Sequence, residues 1–314
     1  MIKGISIILP VYNESNCIEL VLVELYKTVK KDLKKYKIEI IVVNDGSSDD
    51  TSSKLNRMQK NISILKIIEL SRNFGQSAAI ACGVDQAKFE VIVLMDSDGQ
   101  NDPKDIKQLL IGLEKGNDLV SGWRYPRSEN SLIRRVPSKI ANLVIAKFTG
   151  VNIHDFGCTL KAYRASYLKN IFIFGDTHRF LAAYVGFLGG KVTELKVNHR
   201  PRISGKSNYT IMRTYRVLLD LIFAFVYQKF RLRPLHLFGG FASLFFALAI
   251  AFSSWALISR VFFHVWLIST PLPILIGICI GVGFQFLALG IFAELNLRNS
   301  DSSRVLKPYY ISAK

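Results

Sequence analysis

The stretch EVIVLMDSDGQNDP, residues 90–103, contains the strongest structural signal in the chain. Its apolar, β-branched run predicts a buried strand, and Asp96 and Asp98 follow that run two positions apart. Side chains at positions i and i+2 of a strand point to the same face. The two carboxylates therefore project together, and Gln100 joins them if the chain stays extended. Clustered oxygen ligands of this kind suit Mg²⁺ or Mn²⁺. A solvated turn is the alternative, because Asp, Gly and Asn are common in turns.

The sequence before residue 125 alternates between short apolar runs and helical stretches. The runs predicted as strands are ISIILP (5–10), IEIIVV (38–43), ILKIIEL (64–70), EVIVLM (90–95) and DLVSG (118–122). The predicted helices cover about 16–35, 49–60, 75–87 and 104–115, the first capped by Asn16 and the last entered through Pro103. This alternation predicts an α/β domain with a mainly parallel sheet that is covered on both faces.

Polar clusters follow each of the first four predicted strands. They read PVYNES (10–15), VVNDGSSDDT (42–51), LSRNFGQSAAIACG (70–83) and MDSDGQNDP (95–103). The carboxyl ends of parallel strands meet at one edge of a sheet, which is where open α/β sheets bind their ligands. We therefore expect the four clusters to converge on a single crevice.

The overall composition points to a membrane. Half of the 314 residues are hydrophobic, yet the formal net charge is +17, which suits either nucleic acid or an anionic membrane surface. Residues 235–259 and 271–293 contain no Lys, Arg, Asp or Glu, and each reaches the ~20 residues that a membrane-spanning helix needs. A membrane partner therefore explains the charge better than nucleic acid does. The four cysteines lack CxxC spacing, which fits reduced thiols.

The flanks of the two predicted spans set their orientation. Arg231 and Arg233 precede the first span, and Arg298, Arg304 and Lys307 follow the second. By the positive-inside rule, both termini and the polar crevice are cytoplasmic. The expected organisation is a globular domain (1–207), an amphipathic juxtamembrane segment (208–234), a two-helix hairpin (235–294) and a cytoplasmic tail (295–314). For 208–234, an interfacial helix and a helix packed on the globular domain both fit the pattern.

Further motifs complete a resemblance to a known family. They are SGWRYPR (121–127), DFGCTLKAYR (155–164), HRFLAA (178–183), HRPRISGKSNY (199–209) and KPYY (307–310). Together with the four strand-end clusters, they resemble inverting family 2 glycosyltransferases with a GT-A (Rossmann-like) fold. The likeness is greatest to the polyisoprenyl-phosphate glycosyltransferases, the group of dolichyl-phosphate mannose synthase and bacterial undecaprenyl-phosphate glucosyltransferases. It covers nearly the whole chain, including the paired spans.

The resemblance implies a metal-dependent enzyme of a bacterial inner membrane. Such an enzyme transfers a hexose such as glucose or mannose, with inversion, from a UDP- or GDP-linked sugar to undecaprenyl or another polyprenyl phosphate. The family includes tetramers, so a homo-oligomer is a further expectation. A processive polysaccharide synthase is an alternative, but such enzymes carry a QxxRW motif and more spans, which this sequence lacks. A non-catalytic membrane adaptor built on a degenerate transferase domain is a second alternative.

The resemblance also assigns residues to the donor. It places Pro10, Tyr12, Glu14 and Asp45 at the base and ribose, and Asp96, Asp98 and Gln100 at the metal and the sugar diphosphate. Asn44 stands where many relatives have an aspartate.

The basic residues fall into a diphosphate set and an acceptor set. Arg202 resembles an arginine that contacts the diphosphate, and Lys206 is a candidate substitute for the family lysine that Asn208 replaces. Arg124, Arg127, Arg134 and Arg135 suit a lipid phosphate, because guanidinium groups bind phosphate bidentately. A solvated basic loop that only touches anionic lipid is the alternative for this second set.

Asp155 resembles an aspartate proposed to deprotonate or position the acceptor, and with Asp96 and Asp98 it completes the predicted catalytic set. The need for a base is slight, since a phosphate monoester has a second pKa near ~6. Asp155 could equally cap the segment that follows it.

Overall fold

The computed structural model describes residues 2–125, 146, 150–175, 177–201, 230 and 233–299. It divides into two compact units, Met1–Phe225 with Lys307–Lys314, and Val226–Leu306. Apart from residues 230, 233 and 234, the expected juxtamembrane segment lies outside the described residues, as does most of the tail. The two units are considered separately.

The first unit is built on a seven-stranded sheet of order β3-β2-β1-β4-β6-β5-β7. Its strands are β1 (Gly4–Val11), β2 (Lys37–Asn44), β3 (Leu65–Glu69), β4 (Val91–Leu94), β5 (Leu119–Arg124), β6 (Lys161–Arg164) and β7 (Val192–Val197). Only β6 runs antiparallel to its neighbours in this described sheet. The mainly parallel α/β sheet is therefore confirmed, and each of the five predicted strands is present.

Helices cover both faces of the sheet. They are α1 (Ile18–Asp32), α2 (Thr51–Asn61), α3 (Gln76–Gln86), α4 (Ile106–Glu114), α5 (Ala165–Leu168) and α6 (Leu181–Phe187), with 3-10 turns at Pro103–Asp105 and Thr177–Phe180. The four predicted helices are confirmed to within a few residues. The expected Asn16 cap is wrong: Cys17 occupies the N-cap position without a side-chain bond to the helix N-terminus, and the Glu14 carbonyl accepts the first backbone N–H groups instead.

The central strands β1 and β4 are apolar because both of their faces are buried. Every residue of β1 is buried, and its alternate side chains enter different clusters, Ile8 on one face and Ile7 and Leu9 on the other. Helix α3 lies very close to β1, since a Cβ added at Gly83 would come 2.4 Å from Ile8 Cγ2. This close packing holds the C-terminal half of α3 against β1.

The second unit is a pair of apolar helices. They are α7 (Pro234–Phe263) and α8 (Leu272–Asn299), and their most apolar stretches have mean hydropathies of 2.1 and 2.4. Both are long and apolar enough to cross a membrane, and only 17% of each stretch is buried, which is unlike a helix in a soluble core. Of the spans' glycines, Gly283 permits close helix contact, because a Cβ there would lie 2.7 Å from the Phe246 ring.

Candidate active site

A cavity of about 280 Å³ opens at the carboxyl ends of β1, β2 and β4. Its lining is Pro10, Val11, Tyr12, Glu14, Asp45, Asn73, Gly75, Gln76, Ala79, Asp96, Ser97 and Asp98. Residues from all four strand-end clusters therefore meet at one crevice, as the alternating pattern predicts.

Asp96 and Asp98 both line the cavity, and other parts of the chain hold each of them. Gln76 Nε2 donates to Asp96 Oδ1 at 3.0 Å, and the backbone N–H of Gln100 donates to Asp98 Oδ1 at 3.1 Å. Between them, Ser97 Oγ donates to the carbonyl of Pro10 at 3.0 Å, which ties this loop to β1. The two carboxylates are thus oriented by the fold.

The structure does not bring Gln100 to the aspartates. The chain turns at Gly99, which has a φ of +78°, a conformation that glycine adopts without steric cost. The extended backbone that would align Gln100 with Asp96 and Asp98 is therefore absent at this turn. Gln100 Nε2 lies 3.4 Å from both His199 Nε2 and the carbonyl of Arg200, and Gln100 is outside the cavity lining.

Asp45 follows β2 and lines one wall of the cavity. Its two oxygens accept the backbone N–H groups of Phe74 at 2.7 Å and Gly75 at 2.8 Å. Burial raises the pKa of Asp45, and these two hydrogen bonds partly oppose the rise. Each carboxylate oxygen keeps a second lone pair, so Asp45 can still accept from a base or ribose.

The residues after β1 form the neighbouring wall. Tyr12 is 45% exposed at the cavity. The Glu14 carboxylate accepts from Cys17 Sγ at 3.0 Å, and the same sulfur lies 3.2 Å from the carbonyl of Ser97. Cys17 therefore links the PVYNES cluster to the aspartate loop.

Asn44 supports the site from inside the protein. Its side-chain amide donates to Ser52 Oγ and Glu69 Oε2, each at 2.7 Å, and its oxygen accepts from the backbone N–H of Ser47 at 3.2 Å. An aspartate here would bring a second carboxylate against Glu69. As an asparagine, residue 44 can donate to Glu69 without charge repulsion. Asn44 does not line the cavity.

Arg124, which is partly buried, and Asp155, which is buried, form a bidentate ion pair. Arg124 Nε donates to Asp155 Oδ2 at 2.7 Å, and Nη2 donates to Oδ1 at 2.9 Å. Burial alone would lower the pKa of Arg124. The hydrogen bonds and the negative charge of Asp155 outweigh burial, so the pKa of Arg124 is raised, and the charge of Asp96 adds to the rise. Asp155 also accepts the backbone N–H of Gly157 at 3.1 Å, so it caps the following turn as well.

Two further buried groups surround this ion pair. Lys161 is 2% exposed and donates from Nζ to the carbonyl of Phe156 at 2.9 Å. Burial lowers the pKa of Lys161, while the negative charge of Asp155 opposes that change. Burial raises the pKa of the Cys158 thiol to about 11, so it stays protonated at neutral pH. Sequence reasoning missed Lys161, because nothing local marks it as buried.

Several predicted site residues lie outside the described part of the chain. They are Arg127, Arg134 and Arg135 of the acceptor set, and Arg202 and Lys206 of the diphosphate set. Their roles stay predictions. Conversely, Gln76 and Asn73 belong to the lining but were recognised only as members of a strand-end cluster. The signal for Gln76 was its place directly after Gly75 at the start of a helix.

The residues present fit a divalent cation shared with a substrate. Among the described residues, no group of three or more His, Cys, Asp or Glu side chains could hold a metal by itself. Mg²⁺, however, is usually bound by one or two carboxylates together with substrate phosphates. Asp96 and Asp98 at the cavity supply that number of carboxylates.

Comparisons with known proteins show the family to which the chain belongs. Residues 6–172 match the profile described as Glycosyl transferase family 2. Over 241 residues the chain is 39% identical to the dodecaprenyl-phosphate galacturonate synthase of Rhizobium johnstonii, covering 75% of this chain and 70% of that protein. Over 314 residues it is 32% identical to the undecaprenyl-phosphate 4-deoxy-4-formamido-L-arabinose transferase of Pseudomonas savastanoi pv. phaseolicola, covering 99% and 90%.

A solved structure shares the fold. Glucosyl-3-phosphoglycerate synthase from Mycobacterium tuberculosis, in complex with Mn²⁺, UDP and phosphoglyceric acid, superposes with a TM-score of 0.55 at 18% identity, covering 72% of this chain and 78% of that one. This likeness confirms the GT-A fold. The chain therefore belongs to glycosyl transferase family 2 and to its polyisoprenyl-phosphate glycosyltransferase group.

Replacing Gln76 tests whether its hydrogen bond to Asp96 orients a metal ligand. In Gln76→Ala, we expect Mn²⁺ to bind roughly tenfold more weakly in the presence of UDP or GDP, because a hydrogen bond to a charged group contributes about 1.5 kcal/mol. Gln86→Ala, at the other end of α3, is the control, since Gln86 contacts Lys66. Equal Mn²⁺ affinity in wild type and Gln76→Ala would contradict this role.

Proposed function

We propose that this protein transfers a sugar from a nucleoside-diphosphate sugar to a polyprenyl phosphate at a membrane, with inversion at the anomeric carbon. The observation that carries the proposal is that Asp45, Asp96 and Asp98 line one cavity. The negative charge of Asp96 also stabilises the positive charge of Arg124. The names of both curated relatives describe sugar transfer to, or synthesis on, a polyprenyl phosphate. Helices α7 and α8 would keep the enzyme where such an acceptor lies.

The donor sugar is the finer part of the proposal. The relatives are named for galacturonate and 4-deoxy-4-formamido-L-arabinose, and neither name includes the glucose or mannose that the sequence suggested. We infer a modified sugar of this kind. Both UDP and GDP remain candidates for the nucleotide, although the solved structure with the same fold holds UDP.

The reaction requires one bond exchange at the anomeric carbon. An oxygen of the acceptor phosphate forms a new bond to that carbon, and the bond from the carbon to the donor diphosphate breaks on the opposite face. The electron pair of the broken bond leaves with the nucleoside diphosphate. Asp96 and Asp98 would hold Mg²⁺ or Mn²⁺, which supplies positive charge to the departing diphosphate. Asp45 and Glu14 would hold the base and ribose, with Tyr12 and Pro10 beside them.

The Arg124–Asp155 pair suits the acceptor side. Asp155 occupies the guanidinium fork of Arg124 with the same bidentate geometry that a phosphate would use. We infer that Asp155 orients Arg124 for the acceptor phosphate and is not the essential base. The attacking phosphate, with a second pKa near ~6, is already largely a dianion at neutral pH.

The topology of the proposal follows from the charged flanks of the helices. With Arg233 before α7 and the basic tail after α8, both termini and the site would be cytoplasmic. A fluorescent protein fused to the C-terminus should then fluoresce in cells, whereas a periplasmic phosphatase fusion there should be inactive. The reverse pattern would contradict the orientation. Assembly into an oligomer such as a tetramer stays a prediction.

A transfer assay tests the reaction itself. Purified protein in detergent would be mixed with undecaprenyl phosphate, Mg²⁺ or Mn²⁺, and a panel of radiolabelled UDP- and GDP-sugars that includes the uronate and formamido-arabinose donors. We expect metal-dependent label in the lipid fraction, reduced by at least about 100-fold in Asp98→Asn, because such electrostatic contributions are that large. Asp32→Asn is the control, since Asp32 ends α1 outside the cavity lining.

Two other outcomes would contradict the proposal. Nucleotide release without labelled lipid would indicate hydrolysis or a different acceptor. No reaction across the panel, from a protein that melts cooperatively, would favour the membrane adaptor instead.

The pH dependence of the rate tests the role of Asp155. If the acceptor phosphate supplies its own ionised oxygen, the rate should rise through about pH 6 in both wild type and Asp155→Asn. The variant should be slower at every pH because Arg124 loses its orienting partner. If the rising limb disappears in Asp155→Asn, then Asp155 is the base and this inference is wrong.

A further inference from the structure

The segment after β7 crosses the loop that follows the metal aspartates. The backbone N–H of Arg200 donates to the carbonyl of Gln100 at 2.9 Å, and Asn101 and His199 form an isolated antiparallel bridge. At the residue before His199, the backbone N–H of Asn198 donates to Asp105 Oδ2 at 2.7 Å. Residues 198–200 therefore run alongside residues 100–105.

The Arg200 side chain extends this contact to a third element. Nη1 and Nη2 donate to the two carboxylate oxygens of Glu24 in α1, at 2.8 and 2.9 Å. Nη2 also lies 2.7 Å from Asp102 Oδ2. The other oxygen of Asp102 accepts the backbone N–H of Lys104 at 3.0 Å, which caps the 3-10 turn. One guanidinium group thus joins α1 to the loop that precedes α4.

A short path leads from this guanidinium to a metal aspartate. The Arg200 backbone holds the carbonyl of Gln100, and the N–H of the same Gln100 donates to Asp98 Oδ1 at 3.1 Å. The intervening residue Gly99 is in the left-handed region, and the described loop has no helix or strand between β4 and Pro103. The position of Asp98 therefore depends on contacts of this kind.

The ion pairs of Arg200 are stronger than an ordinary surface ion pair. Exposed pairs usually contribute little, but bidentate arginine–carboxylate pairs in a network are the exception. The Asp102 side chain is only 11% exposed, and Arg200 meets two carboxylates at once. A lysine places one point charge where arginine places a planar fork, so it cannot reproduce both contacts.

We propose that Arg200 is a positioning residue, whose ion pairs with Glu24 and Asp102 hold the residue 99–102 loop so that Asp98 faces the metal and the donor diphosphate. The inference rests on the proposed function and adds to it a residue outside the cavity lining. Supporting partners of metal ligands commonly change metal affinity by roughly 10–100-fold when they are removed.

The test compares Arg200→Lys, Glu24→Gln and the double variant with wild type in the full chain. Mn²⁺ binding with saturating UDP, and with GDP in parallel, would be followed by the loss of the free Mn²⁺ signal in electron paramagnetic resonance. We expect each single variant to bind Mn²⁺ about tenfold more weakly and to raise the donor KM similarly. The acceptor KM should change less than about twofold, and the double variant should be no worse than either single one.

Arg57→Lys provides the matched control, because Arg57 of α2 pairs with a glutamate of the same helix α1. Arg57 pairs with Glu19 of α1 at 3.7 Å, and its side chain is 68% exposed. This pair has no contact with the aspartate loop among the described residues, so Mn²⁺ binding should equal that of wild type.

Three results would overturn the proposal. One is an Arg200→Lys protein with a lower Tm and unchanged Mn²⁺ and donor constants. Another is an equal rise in the donor and acceptor KM values, which would indicate a general loss of structure. The third is additive effects in the double variant. Mn²⁺ binding without sugar transfer in wild type would reject the proposed function but leave the positioning role testable, so the two failures are distinguishable.

Discussion

The site depends on the parallel pairing of β1 with β2 and β4. The registers align Val11 with Asn44 and Ile8 with Leu94, so that the three strands end at one edge of the sheet. Each strand is mainly apolar up to that edge, and polar residues follow it. Any strand that ran the other way would carry its carboxylates to the opposite edge. The position of the cavity therefore depends on strand direction more than on any single side chain.

Placing carboxylates at that edge costs free energy, because ionised groups are poorly solvated there. Asp45 is 2% exposed and Asp98 is 6% exposed. The chain offsets part of this cost with backbone donors, from Phe74 and Gly75 to Asp45 and from Gln100 to Asp98. A cation and a nucleoside bound in the cavity would offset more of it. The same loops thus stabilise the ionised groups and orient them.

Two basic side chains lie near this acidic cavity. Arg124 is partly buried, with Asp155 as its counterion, and Lys161 lies buried beside that pair. A carboxylate that occupies a guanidinium fork keeps it in the geometry that a phosphate needs. Under the proposed function, Asp155 would orient the remaining N–H groups of Arg124 toward an anionic acceptor, so that the cost of ordering a free arginine is avoided.

Local sequence patterns predicted the elements that place the site, and they failed at two turns and at a contact between distant residues. Hydrophobic periodicity was sufficient for β1 to β5 and for the strand-end convergence. It was insufficient for Gln100, because the left-handed turn at Gly99 redirects the chain, and for Asn16, because backbone bonds to Glu14 begin α1. Arg200 supports the loop while bonded to Glu24, which lies 176 positions away in the chain, so no local signal marks this contact. The donor sugar was beyond reach for a related reason, since selectivity depends on the shape of the assembled pocket.

The central claim is that Asp96 and Asp98 hold a divalent cation together with a nucleoside diphosphate. It is tested most directly by titrating Mn²⁺ into wild type, Asp96→Asn and Asp98→Asn, with and without UDP or GDP, while the free Mn²⁺ signal is recorded by electron paramagnetic resonance. We expect one Mn²⁺ per wild-type chain, bound tightly only when the matching nucleotide is present, and no such site in either variant. Equal binding in wild type and both variants, or nucleotide binding that ignores Mn²⁺, would contradict the account.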